Sequence, residues 1–129
     1  MLVLAFAVLS IDIGRMRMIK SELQAFTDAA AMNAALQLDG SEQGLVHARA
    51  AAAQLASGPN AMKWDMGTQP ITAITTSFGT DPTGHPFVRV GASAPAPVIF
   101  IRVFASADSP VVAATSVARK DSLDARLIQ

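Results

Sequence analysis

Every residue from Met1 to Leu9 is apolar, and the run passes through Ser10-Ile11-Asp12-Ile13-Gly14-Arg15 into an alanine-rich amphipathic stretch ending at Asp39-Gly40. Between Met1 and Leu38 only Gly14 disfavours a helix. At ~1.5 Å per residue that helix is about 55 Å long, more than a domain this small can cover, so part of it must project. From Ile19 the apolar positions Ile19, Leu23, Phe26 and Ala30 step by four, three and four, which draws one stripe down a helix. Asp39-Gly40 supplies a stop. Ser41 then gives an N-cap, with Glu42 in the first turn of a second helix running to about Ala56 and ended by Ser57-Gly58-Pro59-Asn60.

After Asn60 the pattern changes. Threonine, valine, isoleucine and proline replace alanine, and Ile71 to Phe78 and Phe87 to Ala92 read as strands. Thr80-Asp81-Pro82-Thr83-Gly84 is a turn cluster that joins them as an antiparallel hairpin. Val111 to Arg119 is a third strand, with Val112, Ala114, Ser116 and Ala118 on one face. Val98 to Phe104 reads either way: its β-branched content suits a strand, whereas Pro97 and the Phe100 to Phe104 spacing suit a short helix. Lys120 to Gln129 is expected to be a frayed end or a last helical turn. The fold class is therefore α+β: residues 1–39 form a long helix serving assembly or a membrane, and residues 40–129 a small globular domain.

Composition narrows the function. In 129 residues, 51% are hydrophobic, aromatics are only 5%, and mean hydropathy is +0.37, so the chain is too apolar for disorder and its core must be packed from small side chains. Ten basic and ten acidic residues balance, without a lysine or arginine run, and nucleic acid is not expected as a partner. Cysteine is absent, which removes disulfides and thiolate chemistry. No basic residue precedes Arg15 and no cleavage-like break follows the apolar run, so a removable secretory signal is not expected. The run is shorter than the ~20 residues that span a bilayer unless the span extends to Ile19, and the reading adopted is a processed or incompletely represented N-terminus.

Ile11-Asp12-Ile13-Gly14-Arg15, Ser21-Glu22-Leu23-Gln24 and Thr27-Asp28-Ala29-Ala30-Ala31-Met32-Asn33-Ala34-Ala35 together resemble the N-terminal signature of TadE/TadG-like proteins of tight-adherence (Flp, type IV-like) pilus systems. The resemblance is continuous over roughly Leu4 to Leu38. Further on it is weaker, and it tips Pro97 to Phe104 towards helix. Two departures stand out: no prepilin leader is visible, and Ala5 stands where many type IV pilins carry glutamate. The resemblance implies a pilin-like, non-enzymatic subunit of an extracellular bacterial filament that forms a helical homo-oligomer. It implies as partners the inner membrane before assembly and the pilus assembly machinery. The alternatives are a membrane-anchored minor pilin or assembly factor and, from another class, a membrane-anchored periplasmic binding or hydrolytic domain.

The expected assembly interface comprises Leu2, Leu4, Phe6, Leu9, Asp12, Ile13, Gly14, Arg15, Met16, Ile19, Leu23 and Phe26. Asp12, set between isoleucines, needs a partner if buried, and Arg15 one turn on is the nearest; the alternative is that both are solvated at headgroup level. Gly14 suggests a close helix approach, a local kink or a tolerated glycine, and Met16 and Met18 suit either an adaptable interface or ordinary core. His47 and His85 have no ligand-spaced Cys, Asp or Glu, and no nucleophile elbow or phosphate loop is present, so no catalytic, cofactor or metal site is expected. Trp64 is read as core filling or as an anchor against the helix.

Overall fold

The computed structural model describes residues 1–96, 110–121 and 124–128. Helix α1 runs over Leu2–Leu36, an unbroken length of about 52 Å, and α2 over Glu42–Ser57. The caps are those the sequence signals: Ser41 Oγ accepts from Gly44 N at 3.0 Å, and Asp39 accepts from the Ser41 N–H at 2.9 Å, tightening the turn in which Gly40 adopts φ +85°. The end of α1 has a cap no local motif announces. Lys120 Nζ donates to the Leu36 and Leu38 carbonyls, meeting orphan acceptors at the negative end of the helix.

Among the described residues six strands follow: β1 Lys63–Trp64, β2 Gln69–Pro70, β3 Ala73–Thr80, β4 Pro86–Pro95, β5 Val111–Asp121 and β6 Asp124–Ile128. β1 and β2 form a two-residue ladder in which Trp64 is buried and its Nε1 donates to Pro70 O at 3.0 Å. The other four form one antiparallel sheet in the order β3-β4-β5-β6. Val88 pairs with Phe78 and Ala118, and Ala92 with Ile74 and Ala114, so the predicted hairpin and third strand are present in one continuous register. The tail is a correction. It is neither frayed nor helical over Asp124–Ile128, because β5 runs on to Asp121 and offers a free edge that pairs Ala118 with Leu127 and Val117 with Ile128. The stretch Pro97 to Phe104 lies outside the described residues.

One sheet face carries Val88, Val90, Ala92 and Ala94 from β4 and Val112, Ala114 and Ala118 from β5, all buried. Ile19, Leu23, Phe26, Ala30, Ala31, Ala34 and Ala35 of α1 lie on it at zero exposure, and Ala48 and Ala52 of α2 close over the helix. Alanine on three elements lets the backbones approach closely. Phe26 is the largest fully buried side chain among the described residues and fills the centre. One polar cluster interrupts this interface: Ser116 Oγ donates to Asp28, accepts from Gln24 Nε2 at 2.8 Å and meets Thr27 Oγ1 at 2.8 Å. Each member is satisfied, which fixes the sliding register of α1 on β5.

Candidate functional site

Among the described residues, the front of α1 carries the longest run of exposed large apolar side chains. Leu2 is 74% exposed, Val3 82%, Leu4 66% and Phe6 61%, and these neighbours cannot share one face at 100° per residue, so exposed apolar surface wraps most of the helix, while Ala5, Val8 and Leu9 form a half-buried stripe leading to Asp12. Ser10, the first polar side chain, turns its hydroxyl back onto Phe6 O at 2.8 Å and so offers the surroundings little polarity. Ile11 and Ile13 continue the exposed surface, whereas Leu9 is half-buried.

Behind this front the helix meets the body through charge. Asp12 is buried and engaged. The expected Asp12–Arg15 pair is corrected: Arg15 reaches across the chain to Asp65, its guanidinium Nη2 lying 2.9 and 3.2 Å from the two carboxylate oxygens. The Asp65 loop lies close beside the helix, and one turn of helix separation loses to a rigid acceptor held within reach. Glu22 does the holding. Its two carboxylate oxygens accept from Asp65 N at 2.7 Å and Met66 N at 2.9 Å. Asp65 and Met66 both have φ of 55° and Gly67 follows at 79°, so three successive left-handed residues, two of them non-glycine, are clasped to α1 by one carboxylate. Thr68 Oγ1 adds a bond to Asp65 O at 2.7 Å. The loop thus forms a collar where the helix leaves the body, with Met66 exposed at its tip.

The remaining predicted interface residues divide. Ile19, Leu23 and Phe26 are corrected out of it: each is fully enclosed by this chain's own sheet and has no surface to give a second copy. Met16 packs half-buried against the same core. Among the described residues nothing lies within 4 Å of where a Gly14 Cβ would be, so the glycine answers to no close approach by any of them. Leu2, Leu4, Phe6 and Ile13, with Val3 and Ile11 which the expected set left out, make up the open surface.

Elsewhere chemistry is sparse. His47 is exposed and meets Gln43 at 3.2 Å. His85 closes the β3–β4 turn beside Asp81, whose carboxyl is lowered to about 2 by the Thr83 hydroxyl first, then the His85 N–H, with Arg119 also contributing. Arg119, held by Asp121 above all, is raised above its usual value. Among the described residues no group of three or more His, Asp or Glu is placed to hold a metal ion, and no helix is long and apolar enough to cross a membrane. No protein-family model, curated protein or solved structure matches the chain.

Proposed function

We propose that this chain is a non-enzymatic structural subunit that assembles with copies of itself through the front of α1, in the manner of a bacterial pilus-like filament. The observation that carries this reading is the contrast within one helix: the apolar face of its rear is enclosed by its own sheet, while its first turns leave Leu2, Val3, Leu4, Phe6 and Ile11 exposed around most of the helix, with Ala5, Val8 and Leu9 half-covered on the remaining side. A helix apolar all round is stable only when surrounded, and a bundle of identical helices surrounds each member. Treating Met1 to Ile13 as a cylinder ~20 Å long and ~10 Å across gives on the order of 600 Å² of apolar surface. That stands at the top of the range a monomer leaves open, about 300–600 Å². It approaches the ~800 Å² that one partner brings to a standard interface. At ~25 cal/mol/Å² its burial contributes about 15 kcal/mol gross, enough to offset an association cost of roughly 4–15 kcal/mol. The body would then face outward, its orientation fixed by the Arg15–Asp65–Glu22 collar.

A second reading has its own support. Arg15, Arg17 and Lys20 follow directly on the apolar front, the order found in a segment seated in a bilayer with its basic flank at the headgroups. Sedimentation and negative-stain microscopy of the full chain, beside flotation with anionic vesicles, separate the two. Fibres or large oligomers that Leu4→Asp with Phe6→Asp disperses support self-assembly. A monodisperse chain that floats with vesicles supports the membrane reading, and one that does neither refutes both.

A further inference from the structure

We infer that the cleft between the rear of α1 and the end of α2 binds a neutral saccharide. The cleft is open to solvent and holds about 490 Å³, within the ~300–1,000 Å³ usual for small-ligand sites. Carboxamides converge on it from three elements: Asn33 and Gln37, four residues apart on α1, Gln54 on α2, and Asn60 on the loop that follows. None of these four side chains makes a hydrogen bond among the described residues, and the described lining carries no charged group.

The chemistry of the lining selects the ligand. A carboxamide both donates and accepts, which matches a hydroxyl or acetamido group. An ionic ligand would find no counter-charge, and a purely apolar one would strand four amides away from water. Leu36, 48% exposed, and Leu55 provide an apolar floor for the C–H face of a pyranose ring. The wall is preformed: Gly58 N donates to Gln54 O at 2.8 Å, Ala61 N to Gly58 O at 3.0 Å and Met62 N to Leu55 O at 2.6 Å, so the loop carrying Asn60 is fixed before any ligand arrives. The cleft also begins about 30 Å along α1 from Ile13, and stays open when the front of the helix is buried. The inference stands whether that front meets copies or lipid.

The test is saturation-transfer NMR on the full chain, in whatever assembly it forms, with maltotriose and with tri-N-acetylchitotriose as probes. Saturable transfer to either sugar is expected, weakened about three- to tenfold by Asn33→Ala and by Gln54→Ala, since each removes one or two neutral hydrogen bonds. Gln43→Ala, at the other end of α2, should leave it unchanged. Both test positions are exposed on helices, where alanine preserves the fold, and circular dichroism verifies this. Absence of saturable transfer from both sugars up to on the order of 20 mM overturns the inference, and so does transfer insensitive to both substitutions.

Discussion

Replacing Glu22 by alanine tests whether the collar is an energetic device or an accident of proximity. The carboxylate accepts two backbone N–H groups, at 2.7 and 2.9 Å, and among the described residues neither donor has another acceptor. A hydrogen bond to a charged group contributes about 1.5–3 kcal/mol net. The two do not count equally: Met66 is exposed, so its N–H regains water on substitution, whereas the buried Asp65 N–H regains it only by moving. The loop also carries two left-handed non-glycine residues, each costing on the order of 1 kcal/mol, and without the clasp it relaxes and recovers part of that strain. The expected loss is therefore about 2–3 kcal/mol rather than the sum of two full bonds. It should divide between the global denaturation midpoint and a local opening seen as faster amide exchange at Asp65 and Met66. Glu22→Gln keeps one acceptor oxygen and should lose roughly half as much. A Glu22→Ala protein within about 0.5 kcal/mol of the parent, with exchange at both amides unchanged, would refute the assignment.

Other consequences are equally direct. Phe26→Ala empties the centre of the α1–sheet interface and should cost about 3–5 kcal/mol in chemical denaturation. Asp81, with its folded carboxyl lowered from the ordinary 3.8 to about 2, binds fewer protons folded than unfolded over that interval. Its contribution is thus complete above about pH 4 and lost as pH falls towards 2, and Asp81→Asn should flatten that part of the acid-denaturation curve. Gly44→Ala gains helix propensity, yet its Cβ would lie 2.2 Å from Asp39 Oδ1, the acceptor that orders the Ser41 cap. A net loss of about 1 kcal/mol in thermal or denaturant unfolding is expected instead of a gain.

What the sequence made legible follows from how local each signal is. The stripe Ile19, Leu23, Phe26, Ala30 names the buried face of α1 because helical period depends only on neighbours, and the Ser41 cap and the Asp81–Gly84 turn are announced within four residues. The alternation Val112, Ala114, Ser116, Ala118 likewise gives the inner face of β5. What was hidden is long-range or depends on an edge. Nothing near Arg15 points to an acceptor 50 residues on, and the left-handed backbone at Asp65 and Met66 carries no glycine to signal it. β6 is short and flanked by charge, and is a strand only because β5 leaves an edge to pair with. Of the expected interface, hydrophobicity alone could not separate residues the sheet would cover from those it would leave open, since Leu4 and Leu23 are the same side chain in the same helix.

That separation has a thermodynamic consequence. The apolar face of α1 from Ile19 rearward is enclosed within the body, so it contributes to folding of the single chain, while Leu2, Val3, Leu4 and Phe6 are largely exposed and, in the proposed assembly, contribute chiefly to whatever surrounds them. In the proposed assembly, folding and association are then two nearly independent transitions joined by one helix. Substitutions in the front should shift the concentration at which oligomers form and leave unfolding of the body almost unmoved; core substitutions should do the reverse. The collar is where the two meet, because Arg15 and Glu22 bind the Asp65 loop just behind the open front. A helix free to pivot there would lose orientational entropy on joining a bundle, and one already clamped has lost it in folding. The strained Asp65–Gly67 turn, stabilised at some cost to the body, is in this account the element that prepares the front for its partners.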